Sequence, residues 1–292
     1  MCLRKNIIFY GRLVMIKDGI EYPEGIDWDR VKIFQKEQLA TAKRVAAICE
    51  ENGIRYFLDC GTLLGAIRHG GFIPWDDDID FALPRPDYNK LLSILSKNSD
   101  FIVLDWLTTE DYRYSFAKVM RVGVDKEKMF NPSAIDVFPM DGVPRCKWLR
   151  RLQYKIRLIL GYVIINRKNK LRGLRHYLCN ILGLFVPKSE MAVKRLIEQL
   201  TLNSSKWTTD SFIGVRYQLS GEKYFVPFSV YDNGSIRKVK FEDTEFRIPV
   251  EAEKFLAQFF GDWHSYPPVE KRKPGHVHDS VWFYSKMDIL YK

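Results

Sequence analysis

The sequence predicts an α/β (α+β) fold with a mixed sheet, a helical basic insertion and a β-rich C-terminal region. Residues 28–52 carry apolar side chains at helical spacing, and residues 54–60 and 78–83 alternate with the period of two that is typical of strands. Residues 212–248 are again strand-like and rich in aromatic side chains. With 292 residues, 46% of them hydrophobic, the chain is long enough to bury a large core.

Four regions follow from this pattern: an N-terminal segment at 1–27, a core region at 28–144, a basic helical region at 145–203 and a C-terminal region at 204–292. The first shows no clear period, and we expect it to be loosely ordered. The helix over 28–52 should begin near Asp27 or Asp29 and end at Asn52-Gly53, because Asp favours helix starts and Gly favours helix ends.

The core continues with the strand at 54–60 and a short helix at 62–69, which Gly70-Gly71 breaks. A strand at 78–83, a helix near 88–96 and strands at 112–121 and 134–139 follow. The basic region predicts two amphipathic helices and a third after Pro187, and a short helix is expected at 251–260.

Four carboxylates fall within five residues, and they are Asp76, Asp77, Asp78 and Asp80. Like charges this close repel one another, so they indicate a bound cation or a solvated acidic loop. The strand period puts Asp78 and Asp80 on one face. Asp76 and Asp77 precede the strand, and we interpret them as loop residues that support the ligands rather than as ligands.

A third acid, Asp136, lies between Ile135 and Val137 on the strand predicted at 134–139. If that strand neighbours the one at 78–83, Asp136 joins Asp78 and Asp80. Three carboxylates can hold one or two Mg²⁺ or Mn²⁺ ions, which serve phosphoryl transfer. The alternative is a solvated turn or a structural Ca²⁺ loop, which the strand pattern disfavours.

Several other residues are candidates for binding a phosphorylated donor. Gly61 and Thr62 open a helix whose backbone N–H groups can cradle phosphates. Lys118 and Arg68 can reach a phosphate, although a snorkelling lysine and a helix-capping arginine explain them equally well.

The aromatic and C-terminal candidates have alternatives of the same kind. The ring of Trp75 can hold a quaternary ammonium, although an aromatic side chain is more often part of the core. Arg272 and His278 are expected to close over the phosphates as a charged lid, and the alternative is a solvated basic tail.

The run from Gly61 to Tyr88, GTLLGAIRHGGFIPWDDDIDFALPRPDY, resembles the signature of the LicD family of phosphocholine transferases, which is related to the fukutin-like phosphosugar transferases. Residues 135–142 resemble the family's third-carboxylate segment, and residues 241–249, 259–262 and 267–278 resemble its C-terminal region. The family pattern usually has a glycine before Gly61, where this chain has Cys60.

This resemblance implies a DNA polymerase beta-type nucleotidyltransferase fold and an enzyme of the EC 2.7.8 type. It implies metal-dependent transfer of a phospho-substituent, typically phosphocholine from CDP-choline, to a hydroxyl of a cell-surface glycan or its lipid-linked precursor. Such acceptors include lipopolysaccharide and teichoic acid of the cell envelope. Metal binding and catalysis are assigned to Asp78 and Asp80, with Asp136 as the third acid. The alternatives are a glycosyltransferase that uses a nucleotide sugar and an inactive nucleotide-binding module.

The positive charge is concentrated in one region, because residues 145–188 hold twelve Lys or Arg and no Asp or Glu. Removing these twelve charges from the net +10 leaves −2 on the rest. The distribution indicates an anionic partner at one surface and not a nucleic-acid-binding protein. The basic helices either lie on anionic lipid or pack on the core.

The cysteines and the hydropathy pattern bear on the compartment. The five cysteines are widely spaced and form no CxxC pair, which favours a reducing compartment. No apolar run reaches the ~18 residues that a membrane span needs. We therefore expect a cytoplasmic protein, with peripheral contact at the inner face of a membrane as the open alternative.

Overall fold

The computed structural model describes residues 5–9, 12–17, 19–109, 112, 114–123, 133–142, 144, 146–169, 172–205, 211–213 and 225–275. The helices are α1 (Trp28–Glu51), α2 (Cys60–His69), α3 (Arg85–Leu95), α4 (Lys147–Asn169), α5 (Leu174–Gly183), α6 (Glu190–Ser205) and α7 (Ala252–Phe260). Two short 3-10 helices lie at Phe228–Val230 and Val269–Lys271.

The strands in the N-terminal half are β1 (Lys5–Phe9), β2 (Arg12–Lys17), β3 (Ile20–Pro23), β4 (Phe57–Leu58), β5 (Asp80–Pro84), β6 (Phe101–Leu104), β7 (Ala117–Arg121) and β8 (Ile135–Gly142). The later strands are β9 (Ser211–Ile213), β10 (Phe225–Pro227), β11 (Arg237–Phe241) and β12 (Thr244–Ile248).

The predicted mixed sheet is present at the centre of the fold, in the order β4-β5-β8-β7-β6. Only the β5–β8 pair is parallel, and the other pairs are antiparallel. Near its C-terminal end β8 pairs with β9, and β9 in turn pairs with β10. The strands β5 and β8 are buried along their whole length, so they form the middle of the core.

Most of the predicted elements are confirmed, with shifted ends. The carboxylate of Asp27 accepts a hydrogen bond from the Arg30 N–H at 3.0 Å and so caps α1. The strands predicted at 54–60, 78–83 and 112–121 are shorter, because only the residues that find a neighbouring strand join the ladder. The strand predicted at 134–139 is longer because β9 extends its pairing.

The described part of residues 1–27 contradicts the expectation of loose order. The strands β1, β2 and β3 form an antiparallel sheet in the order β1-β2-β3, with Ile7 opposite Val14 and Ile16 opposite Glu21. Antiparallel neighbours close in sequence can satisfy their backbone N–H and C=O groups with one another. This local pairing can form without the regular apolar alternation by which strands are predicted from a sequence.

The basic region joins the core through α6. A small apolar cluster brings together the loop after β6 and helices α4 and α6, and its buried members are Trp106, Leu160, Ile164, Val193 and Ile197. The ammonium of Lys194 on α6 donates to the Tyr112 carbonyl at 2.8 Å, so the helix also closes on the core through a buried polar contact. The two predicted basic amphipathic helices are α4 and α5.

A second link between α6 and the sheet is an ion cluster around Arg85. The guanidinium group donates from Nε and Nη2 to the two carboxylate oxygens of Asp141 on β8, and its Nη1 lies 2.6 Å from the carboxylate of Glu198 on α6. Burial lowers the pKa of Arg85, but the charge and hydrogen bonds of Asp141 outweigh it and the net shift is upward. Burial raises the pKa of Glu198, although the charge of Arg85 acts in the opposite direction.

Helix α2 packs closely on the segment that leads to the four acids. A Cβ atom placed on Gly65 would lie 2.5 Å from the Gly71 carbonyl oxygen and 3.0 Å from the Ile73 nitrogen. Both are backbone atoms that cannot rotate away, so a side chain at 65 would push the loop off the helix.

We therefore expect Gly65→Ala to lower the free energy of unfolding by about 1–3 kcal/mol, as overpacking does. The matched control is Gly161→Ala on α4, where no atom lies within 4 Å of the added Cβ. That change should be neutral or stabilise by up to about 1 kcal/mol, because alanine favours helix more than glycine. Urea unfolding measures both, and equal effects would contradict the close packing.

Among the residues that the structure describes, none of the helices has the length and apolar character needed to cross a membrane. The described cysteines, Cys49, Cys60, Cys146 and Cys179, are free thiols.

Candidate active site

Three charged side chains form one row across the sheet. Asp80 on β5 lies directly opposite Asp136 on the parallel strand β8, and Asp136 lies opposite Lys118 on β7. The predicted adjacency of the two acid-bearing strands is therefore confirmed. Cross-strand partners project from the same face of a sheet. Both aspartates are buried, at 1% and 5% exposure.

Lys118 forms an ion pair with Asp136 within this row. The burial of Lys118 lowers its pKa, but the charge of Asp136 and the hydrogen bond to it outweigh burial, and the net shift is upward. The neighbouring carboxylate therefore favours the charged form of Lys118. The row thus places one positive charge among the acids.

The sequence indicated that Asp76 is a loop residue that supports the ligands, but the structure places its carboxyl beside the other acids. Burial, followed by the charges of Asp78 and Asp80, raises the pKa of the Asp76 carboxyl well above its usual range. A side-chain hydrogen bond also links it to Asp78. Asp76 therefore belongs to the same group of carboxylates as Asp78 and Asp80.

The acidic loop is held by two glutamines of α1. The Gln35 side-chain amide donates to the Asp76 carbonyl at 2.7 Å, and the Gln38 amide donates to the Asp77 carbonyl at 2.7 Å. Both glutamines are buried. We did not single them out, although two amides three residues apart within the apolar face of α1 were visible in the sequence.

Gly61 and Thr62 lie next to the acids, as predicted, and each makes a specific contact with them. A Cβ on Gly61 would come within 2.7 Å of Asp76 Oδ2, so the glycine leaves room for that carboxylate. The Thr62 hydroxyl oxygen accepts a hydrogen bond from the Asp80 N–H at 2.8 Å and so fixes the start of β5. The first turn of α2 therefore shapes the acidic group.

Cys60, which stands where the family pattern usually has glycine, has a φ of +51°. This is the left-handed region, where a side chain costs roughly 1–2 kcal/mol. The Cys60 side chain is buried at 1% exposure, so its packing offsets part of that strain.

We expect Cys60→Gly to be more stable than Cys60→Ala by about 1 kcal/mol, because both lose the thiol but only glycine relieves the strain. In an ordinary helix position alanine is the more stable of the two. Thermal unfolding of the two variants side by side tests this reversed order, and the ordinary order would exclude backbone strain at this position.

The C-terminal segment reaches the acidic loop. The Gly275 N–H donates to Asp77 Oδ1 at 3.0 Å. Arg272 donates from Nε to the Pro267 carbonyl at 2.8 Å and from Nη1 to the Glu21 carbonyl at 3.0 Å, so it ties this segment to β3. His278 lies outside the described residues.

Trp75 belongs to a compact group of aromatic and cationic side chains. Its ring is 7% exposed, the Arg272 guanidinium lies 5.6 Å from its centroid, and the same guanidinium lies 5.6 Å from Tyr266. His69 stacks on Tyr266 with centroids 5.6 Å apart. A choline group could therefore reach the Trp75 face only if Arg272 moved.

Arg68 is also engaged within this group. It donates to His69 Nε2 at 3.0 Å and to the carbonyl of Trp263 at 2.9 Å, so it ties α2 to the C-terminal segment. Burial, together with the charge of Arg68, lowers the pKa of His69 to about 4. His69 is consequently neutral at physiological pH.

The donor set suits a hard divalent cation in its chemistry. Asp76, Asp78, Asp80 and Asp136 offer carboxylate oxygens, which Mg²⁺ and Mn²⁺ prefer. The repulsion evident at Asp76 would be relieved by a cation. In the described part of the chain, however, no three Asp, Glu, His or Cys side chains are arranged as a metal site, and Asp136 is paired with Lys118.

Comparison with known proteins gives a consistent assignment. Residues 53–156 match a protein-family model described as LicD/FKTN/FKRP, nucleotidyltransferase domain. The chain is 30% identical over 247 residues to the lipopolysaccharide cholinephosphotransferase LicD of Haemophilus influenzae. This alignment covers 80% of this chain and 91% of that protein. It is also 51% identical over 47 residues to human and mouse ribitol 5-phosphate transferase FKRP. This shorter alignment covers 16% of this chain and 10% of those proteins.

The Haemophilus alignment includes most of both chains, and the family match contains the α2 helix, the four acids and Asp136. These findings confirm the resemblance carried by Gly61–Tyr88 and Ile135–Gly142: the chain belongs to the LicD family.

Proposed function

We propose that this protein transfers phosphocholine, or a similar phospho-substituent, from a CDP-linked donor to a hydroxyl of a cell-surface glycan or its lipid-linked precursor. The observation that carries the proposal is the register of Asp80 with Asp136 on adjacent parallel strands, next to Asp76 and Asp78. The named relatives support it, because one is a cholinephosphotransferase acting on lipopolysaccharide and the others are ribitol 5-phosphate transferases.

We assign the binding of Mg²⁺ or Mn²⁺, as one or two ions, to Asp78, Asp80 and Asp136, and we add Asp76 to the candidates. A bound divalent ion would neutralise phosphate charge and lower the pKa of an attacking hydroxyl. Without such compensation an anionic donor would be repelled by this group of carboxylates.

The residues of the chain have separate roles in the proposed reaction. Asp136 accepts the proton of the acceptor hydroxyl, and Lys118, its ion-pair partner, holds that carboxylate in position. The acceptor oxygen forms a bond to the phosphorus of the phospho-substituent, the phosphoanhydride bond to CMP breaks, and CMP leaves. The N–H groups at the start of α2, near Gly61 and Thr62, orient the donor phosphates.

We further propose that the mixed sheet β4-β5-β8-β7-β6 is that of a DNA polymerase beta-type nucleotidyltransferase fold. The placement of acids on two adjoining strands, with α2 leading into the first of them, supports this assignment. The basic helices and the C-terminal segment would then shape the acceptor side.

The proposal is tested by incubating the full chain with CDP-choline, CDP-ethanolamine and CDP-ribitol. CMP release is measured with Mg²⁺, with Mn²⁺ and with a chelator, in the presence and absence of a lipid-linked glycan extract. We expect metal-dependent release of CMP from one of these donors, stimulated by the extract, and a phosphodiester in the product.

Two other results would each reject the proposal. A product that carries a bare sugar from a nucleotide sugar would identify a glycosyltransferase. Calorimetric binding of CDP-choline with no CMP release under any condition would identify a binding module.

A further inference from the structure

Most of the exposed large apolar side chains of the described chain lie on α4, on α5 and in the turn after α5. We call it the α4–α5 face. The most exposed members are Trp148 at 63%, Leu174 at 74%, Tyr177 at 68%, Leu184 at 81% and Phe185 at 84%. Soluble proteins rarely expose so many large apolar side chains together unless something covers them.

The two helices turn one side inward and the other outward. On α4, Leu160 and Ile164 pack into the apolar cluster with α6, while Trp148, Leu152 and Ile159 are exposed. On α5, the single buried residue is Cys179. Its exposed side chains Leu174, Leu178 and Ile181 follow each other at helical spacing, and Phe185 in the turn after α5 continues the series. The outward apolar stripe is therefore not part of the core.

Cations surround this face. Residues 145–188 hold twelve Lys or Arg and no acid. Lys147, Arg151, Lys155, Arg172 and Arg175 are exposed on or beside the same two helices. An amphipathic helix with leucine and aromatic side chains on one face and Lys or Arg beside them is the arrangement that lies in the interface of an anionic bilayer.

We propose that the α4–α5 face docks on the surface of an anionic lipid membrane. Charge complementarity argues for lipid against a second copy of the chain, since two copies meeting at this face would bring its exposed cations together, and residues 145–188 supply no acid to balance them. The helices would lie along the membrane, because no described helix is fit to cross one. This inference does not depend on the transfer reaction.

The first test is co-sedimentation of the full chain with vesicles of phosphatidylcholine alone or mixed with phosphatidylglycerol. We expect binding to the mixed vesicles, weakened by salt. Arg172→Gln/Arg175→Gln should reduce binding about thirtyfold, at about 1 kcal/mol for each cation and 1.4 kcal/mol for each factor of ten. Leu178→Ser/Phe185→Ser should reduce it at least about a hundredfold, because each buried side chain contributes ~1.5–3 kcal/mol.

Matched controls use residues of similar exposure elsewhere on the surface. Ile33→Ser/Ile236→Ser changes two side chains that are 57% and 68% exposed, and Lys36→Gln/Lys240→Gln removes two exposed cations outside the face. Both controls should bind vesicles to within about twofold of wild type. Circular dichroism and thermal unfolding verify that all variants fold. We expect them to fold because every altered side chain is exposed.

A second measurement locates the contact. Brominated lipid quenches tryptophan fluorescence only at close range, so wild-type emission should fall on binding and most of that quenching should be absent in Trp148→Phe. Calorimetric binding of CDP-choline should be unchanged in the face variants, because their residues lie outside the acidic group assigned to the donor, which separates this inference from the proposed reaction.

Three results would each overturn it. One is equal binding to neutral and anionic vesicles. Another is loss of binding in the control variants to the same extent as in the face variants. The third is a dimer, measured by analytical ultracentrifugation without lipid, that Leu178→Ser/Phe185→Ser dissociates, since the face would then be covered by a second copy.

Discussion

Asp80→Asn is expected to lower kcat/KM for CMP release from the CDP-linked donor by at least about a thousandfold, which corresponds to ~4 kcal/mol of activation free energy. Asp80 lies in the middle of the acidic group, opposite Asp136 and close to Asp76. Asparagine has nearly the same shape, but it removes the negative charge that a divalent cation requires. We expect kcat at saturating donor to fall and KM for the donor to rise.

The fold should survive this substitution. The contact that anchors Asp80 uses its backbone N–H and the Thr62 hydroxyl, and asparagine keeps it. Because the change removes one of several buried like charges, the Tm without metal should equal or exceed that of the wild type, whereas the rise in Tm caused by Mg²⁺ should disappear.

Asp243→Asn is the matched control, since this side chain is 70% exposed at the β11–β12 turn. It should change neither turnover nor the response to Mg²⁺. Near-normal turnover in Asp80→Asn would falsify the assignment of Asp80 to the active site.

Arg85→Met is expected to lower the free energy of unfolding by about 3–5 kcal/mol. The substitution leaves the carboxylates of Asp141 and Glu198 buried without the cation that balances them. The Arg85 side chain is 11% exposed, so water cannot easily replace the lost contacts. Urea unfolding, monitored by far-UV circular dichroism, measures the loss.

The matched control for Arg85→Met is Arg237→Met. Arg237 also forms two hydrogen bonds to one carboxylate, that of Glu253, but these side chains are 38% and 50% exposed. Exposed pairs contribute about 1 kcal/mol or less. The double variant Arg85→Met/Asp141→Asn should recover part of the loss. Similar losses in the two single variants would show that burial of the Arg85 cluster does not contribute to stability.

The local elements of this fold could be predicted because their evidence lies within a few residues. The cap at Asp27, the end of α1 at Asn52-Gly53 and the amphipathic pattern of α4 and α5 depend on side chains that are neighbours on one helix. Strand ends were less well predicted. Whether Ile54 or Tyr112 joins a ladder depends on whether another strand lies beside it.

The site was predicted in part, because some of its residues lie close together along the chain. The period of two put Asp78 and Asp80 on one face of a strand, but β5 begins at Asp80, so Asp78 lies in the loop before it. The adjacency of Asp136 was an assumption that the β5–β8 register confirmed. Asp76 was interpreted as a residue that supports the ligands because a loop residue has no period from which its direction can be read.

By itself, the sequence determined the helical and strand segments of the core, the concentration of acids before and within β5, and the concentration of cations in residues 145–188. The tertiary structure decided that Asp80 faces Asp136, that Lys118 pairs with Asp136, and that Gln35 and Gln38 hold the acidic loop. Periodicity reports hydrogen bonding and side-chain direction within one element, whereas these contacts join residues that are distant along the chain. They form only when the elements pack.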